Sequence, residues 1–504
     1  MTRTSKLAIS LAILAAIPTI SLAQSSAPEK GLSAQELNKQ GTAAWERKDY
    51  QTALRDLTDA ATQGNADAQY NLAIVYESGQ GVLQNHPEAV NWFHKAADQG
   101  HILAQFNLGV LYFGGQEVPQ DYQTAINWFS KAANQGNTDA QNNLGTMYLN
   151  GQGVPQNYQA AMNWFRKAAN LNNANAQNNL GEMYRDGQNV PQDYQAAVGW
   201  FHKAADQGCA AAQLNLGKMY YDGHGVSQDR PIAASWLRKA ADQNDPDAQF
   251  HLGTMYFYGI GIPKDEQTAI SLIQKAADQD YGLAQLSLGS LYYNGEFVPQ
   301  NYQTAATWLR KAADQGYRLA QVTLGDMYRD GHGVSQNYQA AANWFRQAAD
   351  QNSSDAQYSL GLLYANGQGV PQDYQAAASW YHKAADQDDA YAQNNLGSLY
   401  LDGQGVPQNY RSALDWFRKS ATQGNAKAEH NLGLMYYKGF GVKSDKVIAY
   451  MLYNLASAAG DDSAIRDRDE LADKLAASQL EEGQRLAVTW QKGTPFPMRS
   501  RTGG

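Results

Sequence analysis

Nine histidines and one cysteine are the side chains of this sequence best suited to metal ligation or nucleophilic chemistry, and their spacing supports neither. His94, His202 and His382 share one position of a repeating pattern, which Arg166, Arg310 and Arg418 fill elsewhere. They lie 108 and 180 residues apart. At roughly 10 Å per stacked helix pair that is tens of ångströms, too far for a shared ion. His224 and His332 fill a loop slot held elsewhere by Gln152 or Gln368 and read as solvated loop residues. Cys209 is the single cysteine, so no intramolecular disulfide can form. It opens a helix where other repeats have His101, Asn137 or Tyr317. That marks an incidental small residue, the alternative being a reactive or intermolecular thiol.

Recurring Gly-x-Gly-Val-Pro loops suggest phosphate binding at first sight. The fingerprint needs a third glycine, a preceding strand and a helix that starts at the glycines, and all three are missing. His-Glu-x-x-His, Gly-x-Ser-x-Gly and Ser-x-x-Lys do not occur either. The sequence therefore offers no catalytic residue, no metal ligand and no cofactor site. Its formal charge is −9, or −11 once Arg3 and Lys6 are removed with the leader described below. An acidic chain without a basic stripe is a poor partner for nucleic acid or anionic lipid, which leaves proteins and peptides.

What positions these residues is a period. Tyr76, Tyr112, Tyr148, Tyr184, Tyr220, Tyr256, Tyr292, Tyr328, Tyr364, Tyr400 and Tyr436 follow one another at 36 residues. A fixed period of this length marks stacked units that bury their apolar faces against neighbours. In the second unit Ala104, Leu108 and Tyr112 are four apart and share one side of a first helix. Gly115, three residues past the tyrosine, stops it in the left-handed conformation. Asp121 then caps a second helix carrying Tyr122, Ala125, Trp128, Phe129, Ala132 and Ala133. Ten of eleven units place Gly after the core Leu, as in Leu108-Gly109, which implies close contact, expected to be with the Trp of a second helix.

The pattern AQxxLGxxYxxGxGVPQDYxxAxxWxxKAADQG closely resembles the Sel-one-like repeat, a relative of the tetratricopeptide repeat. The resemblance covers residues 65–460 and implies an all-α, right-handed superhelical solenoid of stacked antiparallel helix pairs. It also implies an adaptor or scaffold role. Cysteine-rich relatives staple each hairpin with a disulfide, and some are described as β-lactam-binding or weakly hydrolysing. This chain lacks their cysteines.

The flanks differ. Arg3 and Lys6 precede an apolar run, Leu7 to Ile17, and Ser21-Leu22-Ala23 offers a cleavage site before Gln24. Residues 1–23 thus read as a signal peptide and place the mature protein in the periplasm or beyond, with no membrane insertion. Residues 24–32 are a linker, 33–64 a degenerate opening unit, 461–492 capping helices and 493–504 a disordered tail. Ser478 and Glu481 have capping-box spacing for the last helix.

Positions of the first helix opposite its core arc vary from unit to unit, and the resemblance makes that arc the concave groove. It offers Tyr70, Phe106 and Phe113, then a polar block, then Tyr221, Phe250, Phe257 and Tyr293. Aromatics on an open surface dominate binding hot spots; the alternative is packing against the neighbouring helix. Asn107, Asn143 and Asn179 recur at the edge of the arc, where a ladder of amides can hold an extended peptide backbone or instead join neighbouring units. The function expected is an exported adaptor binding an envelope protein or peptide. The rival is a cell-wall-directed enzyme, such as a weak β-lactam or peptidoglycan hydrolase.

Overall fold

The computed structural model describes residues 32–188 and 190–496; the expected signal peptide, most of the linker and the end of the tail lie outside them. Every regular element among the described residues is an α-helix, twenty-six in all, from Ala34–Glu46 to Ala477–Thr489. They come in pairs joined by short loops. Twenty-four of them, through Lys446–Ala458, make twelve hairpins, an opening pair followed by eleven of the 36-residue repeats. Within each body short loops force the two helices of a hairpin to run antiparallel, and each second helix also packs on the first helix of the next repeat. The fold is an all-α solenoid of stacked helix pairs. The chain divides into two compact bodies, residues 1–264 and 265–504.

Local sequence sets each boundary. The first helix of the second repeat, Ile102–Gly114, ends on Gly115 at φ +69, and the second, Tyr122–Asn134, starts where the Asp121 carboxylate accepts from the amides of Gln123 and Thr124. The chain leaves second helices through a left-handed residue: Gly in some repeats, and Asn172, Asn244, Asp280, Asn352 or Asp388 in others. The second glycine of the Gly-x-Gly loop has a packing reason. A Cβ on Gly225 would stand 2.3 Å from the Tyr194 carbonyl oxygen, so the loop lies flat on the start of the preceding second helix.

The core repeats with the period. Ala68, Leu72, Ala96 and Ala97 are buried in the first repeat, and their equivalents are buried in every other except for the half-buried Ser457 of the last. The interlock at the helical glycine is real, but its partner is not the tryptophan. A Cβ on Gly109, Gly145 or Gly181 would meet the ring of Phe129, Phe165 or Phe201 at 2.5 Å, the residue after each Trp. The tryptophan stands further out, its ring under a lysine one turn on: Lys95 Nζ lies 3.7 Å above Trp92 and Lys239 Nζ 3.7 Å above Trp236. It braces the joint with the preceding repeat, as Trp344 does against the cluster that Leu309 of that repeat forms with Leu324 of its own.

At the end of the chain two expectations change. The last helix begins at Ala477, where the Gln479 side chain accepts from the Ala476 amide at 3.0 Å, so Ser478 is inside the helix and caps nothing. The expected disordered tail is packed through Phe496: its buried ring stacks on Trp490 at 4.7 Å, and the Gly493 amide donates to the Thr422 carbonyl.

Candidate functional site

Two faces of the helix pairs compete for function, and the second-helix face is largely satisfied by itself. Arg166, Arg238 and Arg346 each donate to the hydroxyl of the repeating tyrosine eighteen residues on, Tyr184, Tyr256 and Tyr364, at 2.9, 2.7 and 2.8 Å. His94 and His202 make the same link to Tyr112 and Tyr220 at 3.2 Å. These histidines are thus inter-helix fasteners. His224 is exposed, as expected of a solvated loop residue, and His332 is half-buried; they stack on Tyr194 and Tyr302 at 4.7 and 4.9 Å. Cys209 is partly buried, and burial pushes its thiol up, away from a reactive thiolate.

The first-helix face keeps part of what its variable arc promises. Phe106 is 5% exposed and packs on Phe129 at 5.9 Å, so it belongs to the core and not to an open groove. Asn143 and Asn179 are 8% and 3% exposed, and the Asn179 amide donates to Asn142 of the preceding repeat at 2.9 Å. Asn215 to Asn178 and Asn431 to Asn394 repeat that bond at 2.9 Å. The amide ladder therefore joins neighbouring first helices. Asn107 is half-buried beside the Tyr70 hydroxyl, and the Tyr70 ring stacks on His101 at 4.6 Å.

The other aromatics are half-buried. Phe113 leans on Tyr122 at 5.3 Å, and Phe257 on Tyr258 at 5.1 Å. Phe250 lies 5.8 Å from His251, and Tyr221 is half-buried in the next repeat back. Tyr293 belongs to the second body, edge-on to Tyr302 at 5.3 Å. Sequence reasoning missed one position of the arc. The second residue of the first helix is Leu103, Leu319 or Tyr391 in three repeats, exposed by 41%, 60% and 62%, and Tyr258 at the far end of its helix is exposed by 68%. The signal was present, because that position lies three and seven residues before others on the arc.

Between the aromatic stretches the first body carries a closed polar lattice. Arg185 donates to Asn215 at 2.8 Å, and Asn215 donates to Glu182 at 3.1 Å. Lys218 and His251 both pair with Asp247, at 2.9 and 3.0 Å. Burial opposes ionisation of Asp247, but the hydrogen bonds and charges of His251 and Lys218 outweigh it and hold the carboxyl well below the usual range. A second charged group joins His86 to Glu117 at 2.9 Å; beside it, burial first and the Glu117 charge second raise Glu77 to about 7.

Neither group lines the two shallow depressions of about 550 and 380 Å³. Gln375, Ser379 and His382 of a second helix line the larger together with Leu396 and Tyr400 of a first helix, and Gln51, Leu54 and Arg55 line the smaller. Among the described residues no three His, Cys, Asp or Glu side chains are placed to hold a metal, and no helix is long and apolar enough to cross a membrane.

Known proteins place the fold in a family. The Sel1 repeat model matches eleven consecutive segments, from residues 66–101 to 426–461. The chain is similar to the crystal structure of c5321, a protective antigen of uropathogenic Escherichia coli strains displaying an SLR fold. The two share 36% identity over 86% of this chain and 93% of the other, with a TM-score of 0.67. It is also similar to a Sel1 repeat protein from Oxalobacter formigenes, at 31% identity over 68% of this chain and 97% of that one, with a TM-score of 0.47. A search of curated proteins finds no match. With the model covering most of its length in unbroken register, the chain belongs to the Sel1 repeat family.

Proposed function

We propose that this protein is an exported adaptor that holds a protein or peptide of the cell envelope on its first-helix face. One observation carries the reading: within the helices of the repeats, exposed large apolar side chains stand mainly on first helices, Leu103 and Tyr258 in the first body and Leu319 and Tyr391 in the second, against Ile232 alone on a second helix. The second-helix face, by contrast, spends its aromatic and cationic groups on its own tyrosines and tryptophans. Exposed apolar groups on a varying surface are the usual mark of a partner site. Export rests on the sequence of residues 1–23.

The enzymatic alternative needs reactive groups gathered in a cleft, and the Glu77, His86 and Glu117 group lines neither depression. The test is affinity capture from an envelope extract with the mature protein, run beside Leu319→Ala and Tyr391→Ala variants and followed by mass spectrometry. A protein retained by the parent and lost by the variants supports the adaptor. Hydrolysis of a β-lactam or of peptidoglycan by the pure protein, abolished by Glu77→Gln, would replace the adaptor with the enzyme.

A further inference from the structure

In the second body the first helices Arg318–Asp330, Ser354–Asn366 and Ala390–Asp402 follow one another, and their charges are one-sided. With the cap Asp389 they carry Asp326, Asp330, Asp355, Asp389 and Asp402 against Arg318 and Arg329. Arg329 is already committed, to Asp326 at 2.8 Å and to Asp330 at 2.8 Å. Asp355 is exposed, Asp389 half-exposed, and neither forms an ion pair among the described residues.

The carboxylates influence one another. Burial raises Asp326, with Asp330 and Asp355 adding to it and Arg329 opposing. Burial likewise raises Asp389 against the Ala392 amide, and the charge of Asp355 adds to it. An approaching cation relieves that repulsion.

An aromatic surface adjoins the carboxylates. Tyr391 is 62% exposed, and its ring lies 5.9 Å from that of Tyr358 at 40°. Tyr358 is backed by a second ring, tilting on Tyr381 at 6.1 Å. An exposed ring over a held ring, flanked by two unmatched carboxylates, suits a guanidinium or ammonium group, which takes charge from the acids and stacks on the ring face. Asp389 also remains tied to its helix, accepting from the Ala392 amide at 2.7 Å, so its position is set before any partner arrives.

We propose that this face receives a cationic segment of the partner, with an arginine or lysine side chain held over Tyr391 between Asp355 and Asp389. The proposal rests on the first-helix face being the docking surface. It adds the chemistry of the partner: a protein segment with clustered basic residues, recognised by charge complementarity and by one aromatic seat.

The probe is a short fluorescein-labelled peptide of alternating Arg and Ser, titrated against the full mature protein by anisotropy at low and at high salt. The comparison is with Asp355→Asn/Asp389→Asn, which keeps a side-chain cap at 389, and with Tyr391→Ala. A control, Asp206→Asn/Asp242→Asn, removes two exposed charges from second helices. The expected result is about tenfold weaker binding for the Asp355/Asp389 variant and about threefold weaker for Tyr391→Ala, shrinking at high salt, with the control unchanged. An alternating Glu and Ser peptide should not bind.

Equal losses in the control would show attraction by net charge alone and overturn the proposal, as would unchanged binding in the Asp355/Asp389 variant. Applied to the envelope capture, the same variants separate the two claims. If a protein lost on Leu319→Ala is retained by the Asp355/Asp389 variant, the adaptor stands and the cationic segment falls. If nothing retained depends on the first helices at all, both fall.

Discussion

The Phe165 ring fills the space that a side chain on Gly145 would occupy: a Cβ there would lie 2.5 Å from the ring, and Phe165 is fully buried. The same pairing joins Gly325 to Phe345 and Gly397 to Phe417, so the hairpin closes on a small residue against a large one throughout. Gly145→Ala sets two effects against each other. Helix propensity favours Ala by about 1 kcal/mol, while overpacking a closed core costs about 1–3 kcal/mol. With no exposed path for the ring to move along, overpacking wins, and urea denaturation should show a net loss. A gain in stability would mean that the ring relaxes freely.

Asn179 is a latch. Asn179→Ala leaves the Asn142 carbonyl buried without its donor, an omission that costs about 1–3 kcal/mol. Thermal denaturation should register that loss while affinity for a captured partner stays the same. Normal stability with lost binding would restore the asparagine to the partner site.

A soft segment lies in the sixth repeat. Its second helix, Glu266–Asp278, carries Leu272 where most repeats have Trp, so Lys275 lacks the ring that Trp308 offers Lys311 at 4.5 Å. Losing a large ring removes on the order of 1–3 kcal/mol of local packing. Amide exchange should be faster across 266–279 than across 302–315. Equal rates would show that the buried Ile273 compensates.

Glu429 makes the last repeat pH-sensitive. In other repeats a glutamine at this position accepts from a second glutamine thirty residues on, as Gln69 does from Gln99 and Gln393 from Gln423. Glu429 is 3% exposed, its Oε2 has no partner, and burial raises it to about 7 against the pull of Lys492. The fold therefore binds a proton more tightly than the unfolded chain. The stability this contributes is fully present below about 4.5, the ordinary value, and is lost as pH rises through about 7. Melting temperature followed from pH 4 to 8 should fall less for Glu429→Gln than for the parent, about on the scale of a single titrating group. Identical slopes would place the titration elsewhere.

The period, the helix pairs, the caps at Asn and Asp, and the left-handed stops were legible because each depends on residues within one hairpin. The faces were harder. A helical wheel separates Phe106 from the core, but the packing of Phe106 on Phe129 depends on a second helix whose approach the wheel does not contain. The amide ladder failed as an open surface for a related reason: Asn179 reaches Asn142 37 residues back, a distance set by stacking. Most tryptophans misled by size: Trp92 and Trp128 are buried as a large ring suggests, but the others are half-buried, as Trp236 is beneath its lysine.

Affinity of the captured partner, measured with melting temperature on one set of variants, tests the central claim most directly. The set is Tyr258→Ala, Leu319→Ala and Tyr391→Ala on the first helices, and Lys203→Ala and Arg346→Ala on the second. The adaptor account predicts that at least one first-helix change weakens binding by about 1–2 kcal/mol with little change in melting temperature, and that the second-helix changes leave binding intact. Binding lost only through Lys203 or Arg346, with all three first-helix variants at full affinity, would contradict it.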